Sequence, residues 1–261
     1  MNSYWLLCGL VFLGTYTINM VFISVFYHRG LTHGALNLSP FALKLVEHAG
    51  NWFTGLDPKG WICMHRLHHN HSDTTLDPHS PTHFGIFGVM RAQLKSYKKI
   101  LYKLGKGDPA TIAVVSDIKF GVSWLNRKNL WYLPYIVHGL IGLSLAVFGG
   151  WYLLGYCYFA GMMSHPIQGW MVNSLGHSKG YRNFTTKDDS TNNTLVAWTV
   201  MGEGFQNNHH EYPASPKFSC RWFEIDPGYG LCLVGERLGL LEIRRDLKIP
   251  VYNPAPKAAL G

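Results

Sequence analysis

No lysine, arginine, aspartate or glutamate occurs between Met1 and His28. Within that segment the run YWLLCGLVFLGTYTINMVFISVFY, residues 4–27, extends to roughly 36 Å as a helix, enough to cross the ~30 Å hydrocarbon core of a bilayer. A cleaved signal peptide does not fit, because the segment lacks a basic start and its apolar part is too long. A second charge-free stretch lies between Lys128 and Lys179 and has room for two crossings of about 20 residues each, with Gly149 and Gly150 as the turn. The chain as a whole is 47% hydrophobic and only 15% charged, apolar for a soluble protein. These features predict an all-α membrane protein with about three transmembrane helices, over residues 4–27, 130–148 and 151–172, forming a single domain over 1–261. Basic residues set the orientation. Residues 29–130 carry thirteen Lys or Arg against six Asp or Glu, whereas the N-terminal tip and the turn carry none. Residues 28–129 and 173–261 are therefore expected on the cytoplasmic side, as a cap, with the N-terminus outside. The five cysteines show no CxxC or close pairing, which indicates packing residues rather than a zinc knuckle or disulfide framework. No nucleic-acid partner is indicated.

The stretch HRLHHNHSDTTLDPH, residues 65–79, places five histidines and two aspartates in fifteen positions. Imidazole ligates zinc, copper, iron and nickel and titrates near neutral pH, so a metal site, a pH sensor and a polar loop are the alternatives. The rest of the chain discriminates among them. Eight of the fourteen histidines form four groups at or beyond the cytoplasmic ends of the apolar runs. HRGLTH holds His28 and His33; positions i and i+5 do not share an α-helical face, so their convergence predicts that the helix unwinds there, which Gly30 and Gly34 permit. HRLHH places His65, His68 and His69 at i, i+3 and i+4, on one face of a helix. NSLGH holds Asn173 and His177, and QNNHH repeats the i, i+3, i+4 spacing with Gln206, His209 and His210. A pH sensor or solvated loop gives no reason for the repeated spacing. Metal binding does, and eight imidazoles exceed what one ion takes, so two metals are implied. Asp73, Asp77 and Glu203 lie close to these groups and can orient imidazoles from behind by accepting their free N–H, although ordinary loop and cap roles fit them as well. His48, His71, His79, His83, His138 and His165 fall outside the shared spacings and are expected to be surface, packing or supporting residues.

HRGLTH, HRLHHNHSDTTLDPH, NSLGHSKGYRNF and GEGFQNNHHEYP, in this order and with charge-free segments between the second and third, resemble the membrane fatty acyl desaturases, of which the acyl-CoA delta-9 desaturases are the best-known members. The likeness runs from about His28 to Leu240 and includes the tail WFEIDPGYGLCLVGERLGL. It implies spanning helices capped by a cytosolic domain with a non-haem centre of two iron ions, held by His28, His33, His65, His68, His69, His177, His209 and His210. Asn173 matches a position that meets one iron through water, and Trp61 and Trp170 match positions near the acyl tunnel. The implied reaction removes two hydrogens from adjacent methylenes of a long acyl chain, using dioxygen and two external electrons. An unactivated C–H bond calls for an oxidant made at a redox metal in a dry cavity, which zinc cannot supply.

The implied partners are a long-chain acyl substrate carried on CoA, acyl carrier protein or lipid, the bilayer, and a separate electron donor of ferredoxin, rubredoxin or cytochrome b5 type, since no flavin or haem motif is present. The basic loop from Arg91 to Lys106, with six Lys or Arg and no acid, is a candidate for docking that donor or an anionic acyl carrier, or for a topology signal or lipid contact. Two departures stand out. Only 27 residues precede His28, where acyl-CoA desaturases of the animal type have two spanning helices, so one crossing must serve and the N-terminus is expected on the opposite side of the membrane from theirs. Gln206 stands where the family usually has a histidine, and it either ligates, leaves a place to water or hydrogen-bonds a ligand. A lipid hydroxylase of the same di-iron class is the nearest rival, and a non-catalytic metal transporter or receptor the more distant one.

Overall fold

In the computed structural model, which describes residues 2–248, helices account for nearly all regular structure. Met1 and the end of the expected cytoplasmic part, 249–261, lie outside the described residues. Helix α1 (Asn2–Met20) continues without a break into a π-helix, Val21–Thr32. Together, Ser3–Thr32 form the one helix among the described residues that is long and apolar enough to cross a membrane. Its end corrects the expectation that the chain unwinds between His28 and His33. The helix widens instead: the His33 N–H donates to the His28 carbonyl at 3.2 Å. A turn closed by i→i+5 bonds brings positions five apart onto one face.

After β1 (Leu36–Leu38) come α2 (Pro40–Thr54), α3 (Pro58–His71), α4 (Pro81–Lys106), α5 (Pro109–Val114) and α6 (Trp124–Arg127). Then α7 (Leu133–Val147) and α8 (Tyr152–Met162) form a hairpin, with Gly149 and the left-handed Gly150 in its turn. α9 (His165–Trp170) widens into a π turn over Met171–Leu175, and α10 (Thr194–Thr199), α11 (Gln206–Glu211), α12 (Pro227–Arg237) and β2 (Leu241–Ile243) follow. β2 pairs antiparallel with β1, tying the C-terminal segment to the end of the long first helix.

A repeated local device starts the polar-side helices. α2, α3, α4, α5 and α12 each begin with proline preceded by Ser39, Asp57, Ser80, Asp108 or Asp226, whose side chain accepts a first-turn N–H. Proline has no N–H to lose and a preset φ, and the capping oxygen satisfies a donor otherwise left bare. The device fixes where α3 starts, and with it which way its histidines face. The segment Arg91–Lys106, expected as a loop, is the second part of α4. Val89, Ala92, Tyr97, Ile100 and Leu104 recur at three- to five-residue spacing and are buried, leaving Arg91, Lys95, Lys98 and Lys99 exposed on the other side.

α1, α7 and α8 pack together as an apolar layer. α1 and α8 run in the same direction: the Tyr4 hydroxyl accepts the Leu154 N–H, and Gly161 lies against Phe12 and Thr15. α7 and α8 touch backbone to backbone, since a Cβ on Gly155 would fall 2.1 Å from the Gly142 carbonyl oxygen. Trp5, Leu6, Leu10, Leu13, Leu140, Leu143, Phe148 and Tyr156 are exposed around this layer. At 15 residues α7 is about 22 Å long, shorter than a typical bilayer core. A second core lies beneath the histidines, where Phe22, Phe26 and Tyr27 of the π-helix meet Val46 of α2 and Ile62 and Cys63 of α3. The five cysteines are free, and Cys8, Cys63 and Cys232 are buried.

Candidate metal centre

Helical geometry divides the histidines between two groups. On α3, His65 and His69 are about 40° apart around the axis while His68 is turned about 60° to the other side of His65; on α11 the adjacent His209 and His210 diverge by about 100°. His65 and His69 therefore join His28, His33 and His209, each offering a ring nitrogen within 4.8 Å of the others. His68 faces the other way, where it meets His177 and His210 within the same distance. All eight histidines singled out from the spacing are thus brought together, five in one group and three in the other. A further cluster shares His68 with Asp77 and His79.

Carboxylates fix the rings from behind. His68 Nδ1 donates to Asp77 at 2.9 Å, His177 Nδ1 to Asp73 at 2.8 Å and His210 Nδ1 to Asp188 at 2.6 Å. His28 Nδ1 donates to Glu203 at 2.6 Å. With the proton committed to Nδ1, each Nε2 presents a lone pair. The Nε2 atoms of His68, His177 and His210 are buried, have no hydrogen-bond partner and converge. In the larger group, His209 Nε2 lies 3.0 Å from Nε2 of both His28 and His69, and His69 Nε2 lies 3.1 Å from His65 Nε2. One N–H cannot serve two such neighbours, so lone pairs face one another unless a cation lies between them. Nitrogens about 2.1 Å from one cation and at right angles are about 3.0 Å apart, which is the separation found. The donor set fits a metal in each group.

Protonation agrees. Burial, reinforced by the surrounding imidazoles, pushes His33, His65, His69 and His209 well below the ordinary histidine range, and they are neutral, the form that ligates. Burial pushes His210 down to about 4 in spite of Asp188. Burial opposes the charge on Asp73, yet the His177 ring, the Ser80 hydroxyl and the Asp189 N–H hold its pKa down at about 2.

Glu203 has a second partner. Arg29, fully buried, bonds Glu203 at 2.9 Å and Asp226 at 3.0 Å, with its guanidinium 3.8 Å above the Phe218 ring. The C-terminal segment is thereby linked to the carboxylate that orients His28.

The larger group opens onto an apolar cavity of about 470 Å³, walled by Ile23, Trp61, Met64, Leu94, Tyr97, Tyr135, Val172 and Val200, among others, with His28, His65, His79, Asn173 and Glu203 reaching it. Trp61 stacks flat on His65, with centroids 5.0 Å apart. Trp170 departs from the expected tunnel position. Its indole N–H donates to the Ile86 carbonyl and its ring stacks on Phe87, so Gly169 and Val172 line the cavity instead. Asn173 is on the wall and donates to Gln93 Oε1 at 3.4 Å. Gln206 is buried; its amide nitrogen donates to the Glu203 carbonyl at 2.7 Å, and its Cγ rests where a Cβ on residue 176 would be, so Gly176 is required there.

Sequence reasoning missed Asp188, Arg29 and the closeness of His79 to His68. His79 has both ring nitrogens buried without partners and stacks on His68 at 4.6 Å. Its position in DPH, two residues after Asp77, was the available signal; Asp188 had none, being 22 residues from its partner His210.

A family model described as fatty acid desaturase matches residues 3–226. The chain is 32% identical to an acyl-CoA C20 Delta5-desaturase of Anemone leveillei, covering 95% of this chain and 75% of that protein. It is 30% identical to a hex-5-enoyl-[acyl-carrier protein] acetylenase of Moorena producens, over 91% of this chain and 76% of the relative. Identity to an sn-1 stearoyl-lipid 9-desaturase of Synechocystis is 28%, over 94% and 73%. The chain belongs to the fatty acid desaturase family. It is a fatty acyl desaturase, an oxidoreductase, which removes the transporter and receptor readings.

Proposed function

We propose that this desaturase introduces a double bond into a long acyl chain, using dioxygen and two external electrons, with two iron ions held by the five- and three-histidine groups. The observation that carries this reading is the juxtaposition of two sets of converging imidazole nitrogens with an apolar cavity. When bound, iron would supply the redox chemistry that an unactivated C–H bond requires and that zinc lacks. The chain's own residues do the rest. His28, His33, His65, His69 and His209 hold one ion, and His68, His177 and His210 the other. Asp77, Asp73, Asp188 and Glu203 keep the ligand rings in one tautomer and raise their basicity. Trp61, Ile23, Val172 and Val200 exclude water from the methylenes beside the larger group.

The acyl chain arrives on CoA, acyl carrier protein or lipid, carriers that all appear in the names of the relatives. The electrons come from a separate ferredoxin, rubredoxin or cytochrome b5 type protein. The chain lies in a membrane with α1, α7 and α8 as three crossings and the histidines on the cytoplasmic side; the common direction of α1 and α8 and the exposed apolar side chains around them support this arrangement. Expression in a host lacking the corresponding unsaturated lipids, with mass spectrometry of the products and metal analysis of purified protein, tests the reading. Close to two irons per chain and an alkene product are expected. An alcohol product would indicate a hydroxylase, and an active metal-free preparation would overturn the metal assignment.

A further inference from the structure

α11 carries histidines of both groups, yet it is only six residues long and no side chain caps its start. An isolated helix of that length is unstable in water, so its place must be set from outside. α3, the other helix that feeds both groups, has fourteen residues and the Asp57 cap. The hold on α11 is at its back. At 100° per residue, Asn207 stands about 160° from His209 and Asn208 the same from His210, so the two asparagines point away from the metal groups. Both are fully buried. The Asn207 carboxamide accepts the Asn183 and Phe184 N–H groups, each at 2.8 Å, and donates to the Phe184 carbonyl at 3.0 Å. The Asn208 oxygen accepts from the side-chain amides of Asn183 at 2.7 Å and Asn192 at 2.8 Å. Its nitrogen donates to the Phe218 carbonyl at 2.8 Å and to Glu224 at 2.9 Å. Asn208 therefore uses every hydrogen-bonding place that a carboxamide has.

The far side of this clamp is itself fixed. Burial opposes the charge on Glu224, yet the Cys220 and Arg221 N–H groups and the Tyr181 hydroxyl hold its pKa below the ordinary glutamate range. The loop that grips α11, residues 183–192, also carries Asp188, the acceptor behind His210. An apolar contact tolerates rotation of so short a helix, whereas hydrogen bonds of fixed direction do not. Any rotation of α11 moves His209 and His210 together, one in each group. We propose that Asn207 and Asn208 are positioning residues that clamp α11, so that His209 and His210 meet their groups in register and the two metal sites depend on each other. The proposal rests on the reading of both groups as metal sites. Its signature is distinctive: loss of a ligand or of its carboxylate disturbs one group, whereas loosening α11 disturbs both.

Cobalt(II) loaded into metal-free, full-length protein tests this without turnover, by titration and by visible absorption at saturation, which reports ligand geometry. Asn208→Ala should weaken binding of both ions together by about 10- to 100-fold, the range for residues that orient metal ligands, and should alter the spectrum of the fully loaded protein. A residue that only stabilised the fold would leave the spectrum at saturation as in the parent. Glu224→Gln keeps the shape of the side chain and removes its charge, and should produce the same joint weakening on a smaller scale. Where Asn208→Ala does not fold, Glu224→Gln decides the question. Weakening confined to one group, or a folded variant with the parent's affinities and spectrum, overturns the proposal and leaves the metal reading intact. An unaltered protein that takes up no cobalt overturns the metal reading and the proposal with it.

Discussion

The two histidine groups solve one problem in opposite ways. The larger has five imidazoles, of which, among the described residues, only His28 has a carboxylate behind it, and that carboxylate is shared with Arg29. The smaller has three imidazoles, and each has an aspartate of its own. A carboxylate behind an imidazole makes the ligand more basic and brings a compensating negative charge close to the cation. The smaller group therefore makes up in charge what it lacks in ligands. The difference teaches that these groups are not interchangeable: one is held by number, the other by the electrostatics of Asp73, Asp77 and Asp188.

The largest effect expected is common to both. His68→Ala and His209→Ala each remove a buried imidazole, from the smaller and the larger group respectively. Desaturation should fall by more than about a hundredfold in either, beyond the loss typical of a supporting residue, while the protein still fractionates with membranes. Metal content sharpens the comparison. Loss of one ion by His68→Ala with the second retained would establish two separable sites, whereas full retention of metal in both variants would break the assignment.

Removing carboxylates separates the groups. Asp77→Asn and Asp188→Asn should each weaken metal binding by the smaller group about 10- to 100-fold, read as loss of one of two ions during dialysis against a weak chelator. Glu203→Gln should spare more metal, because four other imidazoles remain in its group. It should instead lower stability, since the fully buried Arg29 would keep only Asp226 as an ion-pair partner. Equal metal loss in all three variants would erase the proposed distinction.

How much of this could be read beforehand differs between the groups as well. The i, i+3, i+4 spacing on α3 and α11 is a property of one helix, so His65, His68, His69, His209 and His210 were legible together. The partner of His210 was not, because Asp188 reaches it through a loop whose path depends on packing rather than periodicity. The charge-free run announced the first helix, yet not that it widens into a π-helix from Val21 onward, since nothing in VFISVFYHRGLT distinguishes i→i+4 from i→i+5 bonding. For α4 the information was present: the buried Val89, Ala92, Tyr97, Ile100 and Leu104 mark a helix that the run of lysines obscured. The cavity could not be foreseen because its wall is assembled from the π-helix, α3, α4, α7 and α9. Trp170 falls between two lining residues, Gly169 and Val172.

An external change should leave the internal comparison untouched. Lys95, Lys98 and Lys99 lie on the exposed side of α4, where they can steer an acidic electron donor, with Lys98 also 4.2 Å above the Trp131 ring. Reversing the three to glutamate should slow donor-supported turnover about tenfold and flatten its dependence on ionic strength, with both metals retained. Unchanged turnover and salt dependence would remove the docking role and leave this face to lipid contact.

The smallest effect expected concerns Gln206, which bears directly on why the groups are unequal. On α3 the first and third positions of the i, i+3, i+4 pattern, His65 and His69, share a group; on α11 the same positions are Gln206 and His210, so Gln206 belongs by geometry with His68, His177 and His210. Its amide nitrogen is held by the Glu203 carbonyl, which restricts how the side chain can swing. Gln206→His should add a fourth imidazole to the smaller group, tightening its hold on metal and changing the iron spectrum while altering turnover by a fewfold at most, because three aspartates already supply the charge. Gln206→Ala should lose a fewfold in occupancy of that group and none in the larger one. Metal titration followed by absorption spectroscopy distinguishes the outcomes. If both variants keep the parent's spectrum and metal affinity, Gln206 lies outside the metal's reach, and the smaller group is complete with three imidazoles and the three aspartates behind them.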